Sequence, residues 1–125
     1  MRSTNPCPCG SDTLFGRCCL PLHLGERLPA TAEELMRARY SAYATANLDY
    51  VWASWHPRTR PADLDAEDGV DWVSVQIVDT AAGRAGDDAG EVEFIARHRD
   101  GVLHERSRFR VRAGRWFYVD GDLLA

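Results

Sequence analysis

Hydrophobic positions follow three different rhythms along this chain, and each predicts a different kind of element. Residues 1–28 show neither a helical nor a strand period. They are rich in Cys, Pro and Gly and too few to bury a core alone. From Thr31 a helical rhythm begins. Thr31-Ala32-Glu33-Glu34 has the S/T-x-x-E form of a capping box, with Thr31 as N-cap and Glu34 reaching back. Leu35, Met36, Tyr40, Tyr43 and Ala44 then recur at amphipathic helix spacing. A shorter period through Leu48, Val51, Trp52 and Trp55 predicts a second helix, separated from the first at 47–49 and ended by His56-Pro57.

Residues 57–71 are polar and acidic and read as a loop. Beyond them the period becomes two. Strands are expected at Trp72–Thr80, Glu91–Arg99, Val102–Arg112 and Trp116–Asp120, with hairpin turns at Asp100-Gly101 and Ala113-Gly114. Knuckle, two helices and a meander define an α+β fold with its helices on one face of an antiparallel sheet.

These turns fix a register. Val111 should face Trp116, Phe109 face Tyr118 and Ser107 face Asp120. Across the other turn, His98 should face Leu103, Ala96 face Glu105 and Phe94 face Ser107. One face is then mostly apolar and belongs under the helices, yet it also carries Glu105, Ser107 and Asp120. Polar groups there are costly unless paired or wet. The covering helix brings Arg39 and Tyr43 to the same place.

Two readings follow. Arg39 forms a structural ion pair with Glu105 or Asp120, or these groups, with Tyr118, floor a ligand pocket. In the second case a carboxylate base, Asp120 or Glu105, assisted by Tyr43 or His56, would serve a small lyase, isomerase or hydrolase. No Ser-His-Asp spacing, Gly-rich phosphate loop or second metal set is visible in the sequence.

Composition narrows the field. A chain of 125 residues with 45% hydrophobic content has room for one core, not two. All 15 basic residues are arginine, which excludes Schiff-base lysine chemistry and a P-loop lysine. The formal charge of −4 argues against bulk nucleic-acid binding. No apolar run approaches the roughly 18 residues of a membrane span, and the N-terminus lacks the apolar segment of a secretory signal. A cytoplasmic protein is expected.

The four cysteines all fall between positions 7 and 19. Cys7-x-Cys9 and Cys18-Cys19 supply two close pairs of soft ligands, matching closed tetrahedral thiolate coordination of structural zinc. The alternatives are disulfides, including a vicinal Cys18–Cys19 bridge, or replacement of one cysteine by His23.

Cys-Pro-Cys-Gly-Ser, then eight residues to Cys-Cys, resembles the SEC-C motif, a zinc knuckle also found at the C-terminus of SecA. Further blocks follow in order: Pro21, His23 and Gly25; Pro29 through Tyr43; Trp55-His56-Pro57 with Arg60; His104 through Phe109; and Gly114-Arg115-Trp116 with Tyr118, Asp120 and Gly121. Together they are similar to the YchJ-type family of bacterial proteins. That resemblance implies a knuckle at 1–28 and, at 29–125, a cystatin-like, nuclear-transport-factor-2-like domain, a cone of helices on a curved sheet enclosing a cavity. It names no settled biochemical activity. Asp12 after Ser11 and the absence of lysine depart from the usual knuckle.

The opposite face of the sheet carries Arg106, Arg108, Arg110 and Arg112, joined by Arg97, Arg99 and Arg115. It reads either as a solvated face of arginine stems or as a surface for an anionic partner, including RNA without sequence-specific reading or the acidic 63–71 loop of a second copy in a homodimer. The leading expectation is a non-enzymatic zinc-binding protein. Its knuckle would meet a protein partner, and its cavity would hold a small molecule.

Overall fold

A computed structural model of the chain describes residues 1–62, 64 and 70–124. Helix α1 (Cys19–His23) follows a 3-10 turn at Phe15–Arg17, and α2 (Ala32–Ala44) and α3 (Leu48–Ala53) follow it. Strands β1 (Trp72–Ala82), β2 (Ala89–His98), β3 (Gly101–Arg112) and β4 (Arg115–Leu123) form one antiparallel sheet in sequence order. The fold is α+β, with the helices on the inner face.

Local chemistry explains the helix ends. The Glu34 N–H donates to Thr31 Oγ1 at 3.1 Å. Glu34 Oε1 accepts from the Ala30 N–H at 2.9 Å, one residue beyond the usual reciprocal bond of a capping box. The break between α2 and α3 comes slightly earlier than expected: Ala46 turns left-handed at φ 58°, and Asn47 caps α3 through the Tyr50 N–H. After α3 the chain runs beside β4, where His56 N–H donates to Tyr118 O and Tyr118 N–H to Ser54 O.

The core lies between α2 and the sheet, built on Leu35, Met36, Tyr40, Val92, Phe94, Phe109 and Trp116. Burying each such side chain contributes about 1.5–3 kcal/mol. The amphipathic pattern predicts one buried stripe on α2, but the helix has two. Its second side, at Ala38, meets a separate cluster of Cys7, Cys9, Phe15, Cys19 and Leu22.

Two register expectations need correction. The first hairpin turns at Arg99-Asp100 rather than Asp100-Gly101, so His98 pairs with Gly101, Ala96 with Leu103, Phe94 with Glu105 and Val92 with Ser107. The slip is two residues, so every side chain keeps its face. The local reason is His98: its Nδ1 accepts the Asp100 N–H, and its ring sits against Trp72 and within 3.5 Å of where a Cβ at position 101 would stand.

The second correction changes faces. Val111 pairs with Trp116 and Phe109 with Tyr118 as expected, but Arg108 then pairs with Asp120 and Ser107 with Gly121. One extra residue in β4 makes a β-bulge, which reverses the side-chain alternation beyond it. Asp120 is thereby delivered to the outer face.

Candidate metal centre and cavity

The knuckle is folded by its own backbone. The Cys7 N–H donates to Thr13 O, and the Phe15 N–H donates to Asn5 O. These turns place the sulfurs of Cys7, Cys9, Cys18 and Cys19 within 4.8 Å of one another. Cys9 and Cys18 sulfurs are 3.6 Å apart, and those of Cys18 and Cys19 are 3.9 Å apart. All four are free thiols, which sets aside the disulfide alternative. Three are buried and Cys18 is half-buried. The cluster is positioned to bind a metal ion.

His23 is not part of this cluster. Its Nε2–H donates to Ala38 O at 2.8 Å, and its ring packs against Phe15 and Tyr50. Burial holds its pKa below the ordinary imidazole value, favouring the neutral donor. His23 therefore fastens the knuckle to α2. Arg37 Nη1 does the same through Cys9 O at 2.6 Å, and Cys7 Sγ lies 3.6 Å from buried Ser41 Oγ. The apolar stripe of α2 carries no sign of this docking side. Its signal was the small residues Ala38, Ser41 and Ala42, which let another backbone approach.

On the other side of α2 a cavity of about 240 Å³ opens against the inner face of the sheet. Arg39, Tyr43, Glu105, Ser107 and Tyr118 all line it, with Trp55 and Trp72 among the aromatic walls. The other two expected pocket residues do not line it. Asp120 lies beyond the bulge, accepting from Arg108 Nε at 2.5 Å on the outer face. His56 also faces outward, its ring 6.0 Å from Phe117 and its Nδ1 accepting the Arg58 N–H. Slight desolvation and the positive charges of Arg112, Arg58 and Arg110 lower its pKa.

The expected ion pair of Arg39 does not form either. Only 6% exposed, Arg39 donates through Nη1 to Val51 O and Ser54 Oγ, each at 2.8 Å. Its guanidinium sits 4.3 Å from the Tyr118 ring centre and 5.2 Å from that of Trp55. These neutral acceptors and aromatic faces take the place of a carboxylate. Glu105 is served by hydroxyls: Ser107 Oγ donates to its Oε2 at 2.5 Å and Tyr118 OH at 3.4 Å. Burial, reinforced by the Glu105 charge, pushes the Tyr118 phenol well above its ordinary value, so it stays a proton donor.

The arginine stripe divides in two. Arg106 pairs with Glu91 at 2.6 Å, Asp79 at 2.9 Å and Glu93 at 3.2 Å, and Arg108 pairs with Asp120 and Asp122. Arg110 and Arg112 are exposed and form no ion pair among the described residues. Most of the acidic 63–71 loop, the candidate partner from a second copy, lies outside the described residues.

A compact cluster of paired cysteines fastened to the long helix of an α+β cone defines a SEC-C knuckle joined to an NTF2-like domain. Family comparison agrees: the SEC-C motif matches residues 4–21, and the YchJ middle NTF2-like domain matches residues 31–121. The chain belongs to the YchJ-like family. It is 47% identical to a UPF0225 protein of Streptomyces coelicolor over 97% of this chain and 98% of that one. A UPF0225 protein of Deinococcus radiodurans is 50% identical, over 92% of this chain and 87% of its own length.

Two solved structures share the fold. A SEC-C motif-containing protein from Rhodopseudomonas palustris, solved in solution, superposes with a TM-score of 0.82 at 34% identity, covering 95% of this chain and 98% of its own. A crystal structure of a SEC-C motif-containing protein from Psychrobacter arcticus gives 0.78 at 26% identity, covering 98% and 85%. No helix in the described residues is long and apolar enough to cross a membrane.

Proposed function

We propose that this protein is a zinc-stabilised binding module whose cone holds a small ligand and whose knuckle presents a surface to a protein partner. The gathering of four free cysteine sulfurs within 4.8 Å carries the zinc reading. Tetrahedral zinc–thiolate bonds of about 2.3 Å put neighbouring sulfurs about 3.8 Å apart, close to the 3.6 and 3.9 Å found here. Four thiolates leave no coordination position for a substrate, so the ion would be structural. Reduced thiols suit the cytoplasm. Met1, Leu14, Leu24 and Leu28 are large apolar residues left exposed on the knuckle, which supports a partner-facing role.

The catalytic alternative is weakened, because Asp120 and His56 are both directed away from the cavity. Glu105 remains as a candidate base and Tyr43 as its assistant, the latter on the cavity wall.

Metal analysis of protein purified without added ions should find one zinc per chain. Less than half an equivalent, or oxidised cysteines in a reduced preparation, overturns the zinc reading. Loading should also weaken in acid. Thiols bind as thiolates, and burial pushes Cys18 up to about 11 in the metal-free protein. Protons must leave for zinc to enter, so affinity rises with pH and falls as pH is lowered, at least about tenfold per unit. A competition titration against a chromophoric chelator at graded pH measures this slope.

A further inference from the structure

Arg39 is more than nine-tenths buried, borders the cavity, and forms no ion pair among the described residues. A guanidinium does not lose its proton in proteins, so a full positive charge is held inside with neutral acceptors and ring faces as its direct contacts. The Glu105 charge acts on it from across the cavity without forming an ion pair. Those acceptors engage Nη1 alone. The N–H groups on Nε and Nη2 have no hydrogen-bond partner among the described residues. Trp55 Nε1 is the one fully enclosed side-chain polar atom there without a partner. The unused Arg39 donors are therefore not fully enclosed, and the cavity is the open space that Arg39 lines. This wall offers donors without acceptors. The one carboxylate that lines the cavity among the described residues, Glu105, is already engaged by Ser107 and Tyr118.

We propose that the cavity takes a small carboxylic acid with an apolar body, its carboxylate seated on Arg39. A planar carboxylate matches the guanidinium fork, and desolvation strengthens the bond. Met36, Phe94, Leu103 and Phe109 supply the apolar walls for the rest of the molecule. At about 240 Å³ the space is below the roughly 300–1,000 Å³ typical of drug-sized ligands, which fits a compact acid. The inference rests on the reading of the cavity as a binding site and adds the charge and size of its occupant.

The test uses the full, metal-loaded chain at neutral pH. Benzoate, phenylacetate and hexanoate are titrated beside benzamide, phenylacetamide and hexanamide, with amide and indole NMR shifts as readout. The acids should bind at least about tenfold more tightly than their amides and shift Trp55 and Tyr118. Glu105→Gln, which removes a negative charge from the cavity, should tighten the acids relative to the amides. Arg39→Gln should abolish the preference; where it fails to fold, the acid–amide comparison on the unaltered chain decides. Amides binding as well as acids overturn the carboxylate proposal and leave the cavity reading standing. If neither series shifts cavity residues, the cavity reading fails with it.

Discussion

Cys9→Ser is expected to abolish stoichiometric metal binding and to release residues 1–28 from their fixed structure, while the sheet keeps its own. Cys9 is completely buried at the centre of the sulfur cluster, within 3.6 Å of Cys18. A serine oxygen is a poor substitute for a thiolate on a soft ion. Structural zinc contributes an apparent 10–16 kcal/mol, roughly, in isolated zinc-finger peptides, and the knuckle has little to set against that loss. Its remaining apolar cluster amounts to Phe15 and Leu22, with half-buried Leu20, beside the cysteines themselves.

The sheet has its own core on the other side of α2, so the two parts should respond differently. Metal content, with residue-level hydrogen exchange, makes the measurement. Fast exchange confined to residues before Ala30 and to the Ala38 side of α2 is expected. A variant that keeps one metal ion and a protected knuckle overturns the four-cysteine assignment.

Gly90→Ala is expected to destabilise the fold by about 3 kcal/mol, lowering Tm by roughly 10 °C, without disturbing the metal site. A Cβ at position 90 would lie 2.3 Å from Gly83 Cα and 2.6 Å from Gly83 N. Both are backbone atoms and cannot rotate aside. Gly83 is tied from both directions: its N–H donates to Ala89 O, and its carbonyl accepts the Ala32 N–H at the start of α2. An added methyl would push the β1–β2 turn away from the helix it anchors. Thermal unfolding followed by circular dichroism reads the effect, and a change in Tm below about 2 °C would show that the two glycines do not pack this closely.

Much of this architecture was legible in the sequence because its signals are local. Thr31 and Glu34 mark a helix start, the period-two runs mark strands, and Ala113-Gly114 marks a turn that fixes the Phe109–Tyr118 pairing. The cysteine spacing pointed to the metal cluster for the same reason.

What escaped depends on contacts between distant segments. The bulge near Val119 leaves no trace in the alternation of β4, yet it moved Asp120 from the inner face to Arg108. The slip at Arg99-Asp100 followed from the packing of His98 on Trp72, which the dipeptide Asp-Gly does not encode. Arg39 looked like half of an ion pair because its charge invites a carboxylate. Two aromatic rings, a helix carbonyl and a serine hydroxyl hold it instead.

Helix α2 lies between the knuckle and the cone, and its thirteen residues include no exposed position. An ordinary surface helix leaves about half its circumference to solvent, where substitutions are mostly neutral. This one has little such latitude. Glu33 and Arg37 form an ion pair at its half-open edge, while neighbouring positions answer to the sulfur cluster on one side and the cavity on the other. A single turn, from Ala38 to Ser41, carries both obligations: Ala38 and Ser41 accommodate the knuckle, and Arg39 and Tyr40 shape the cone. Drift in either half of the molecule is therefore constrained by the other, and the two must diversify together through the same short run of residues.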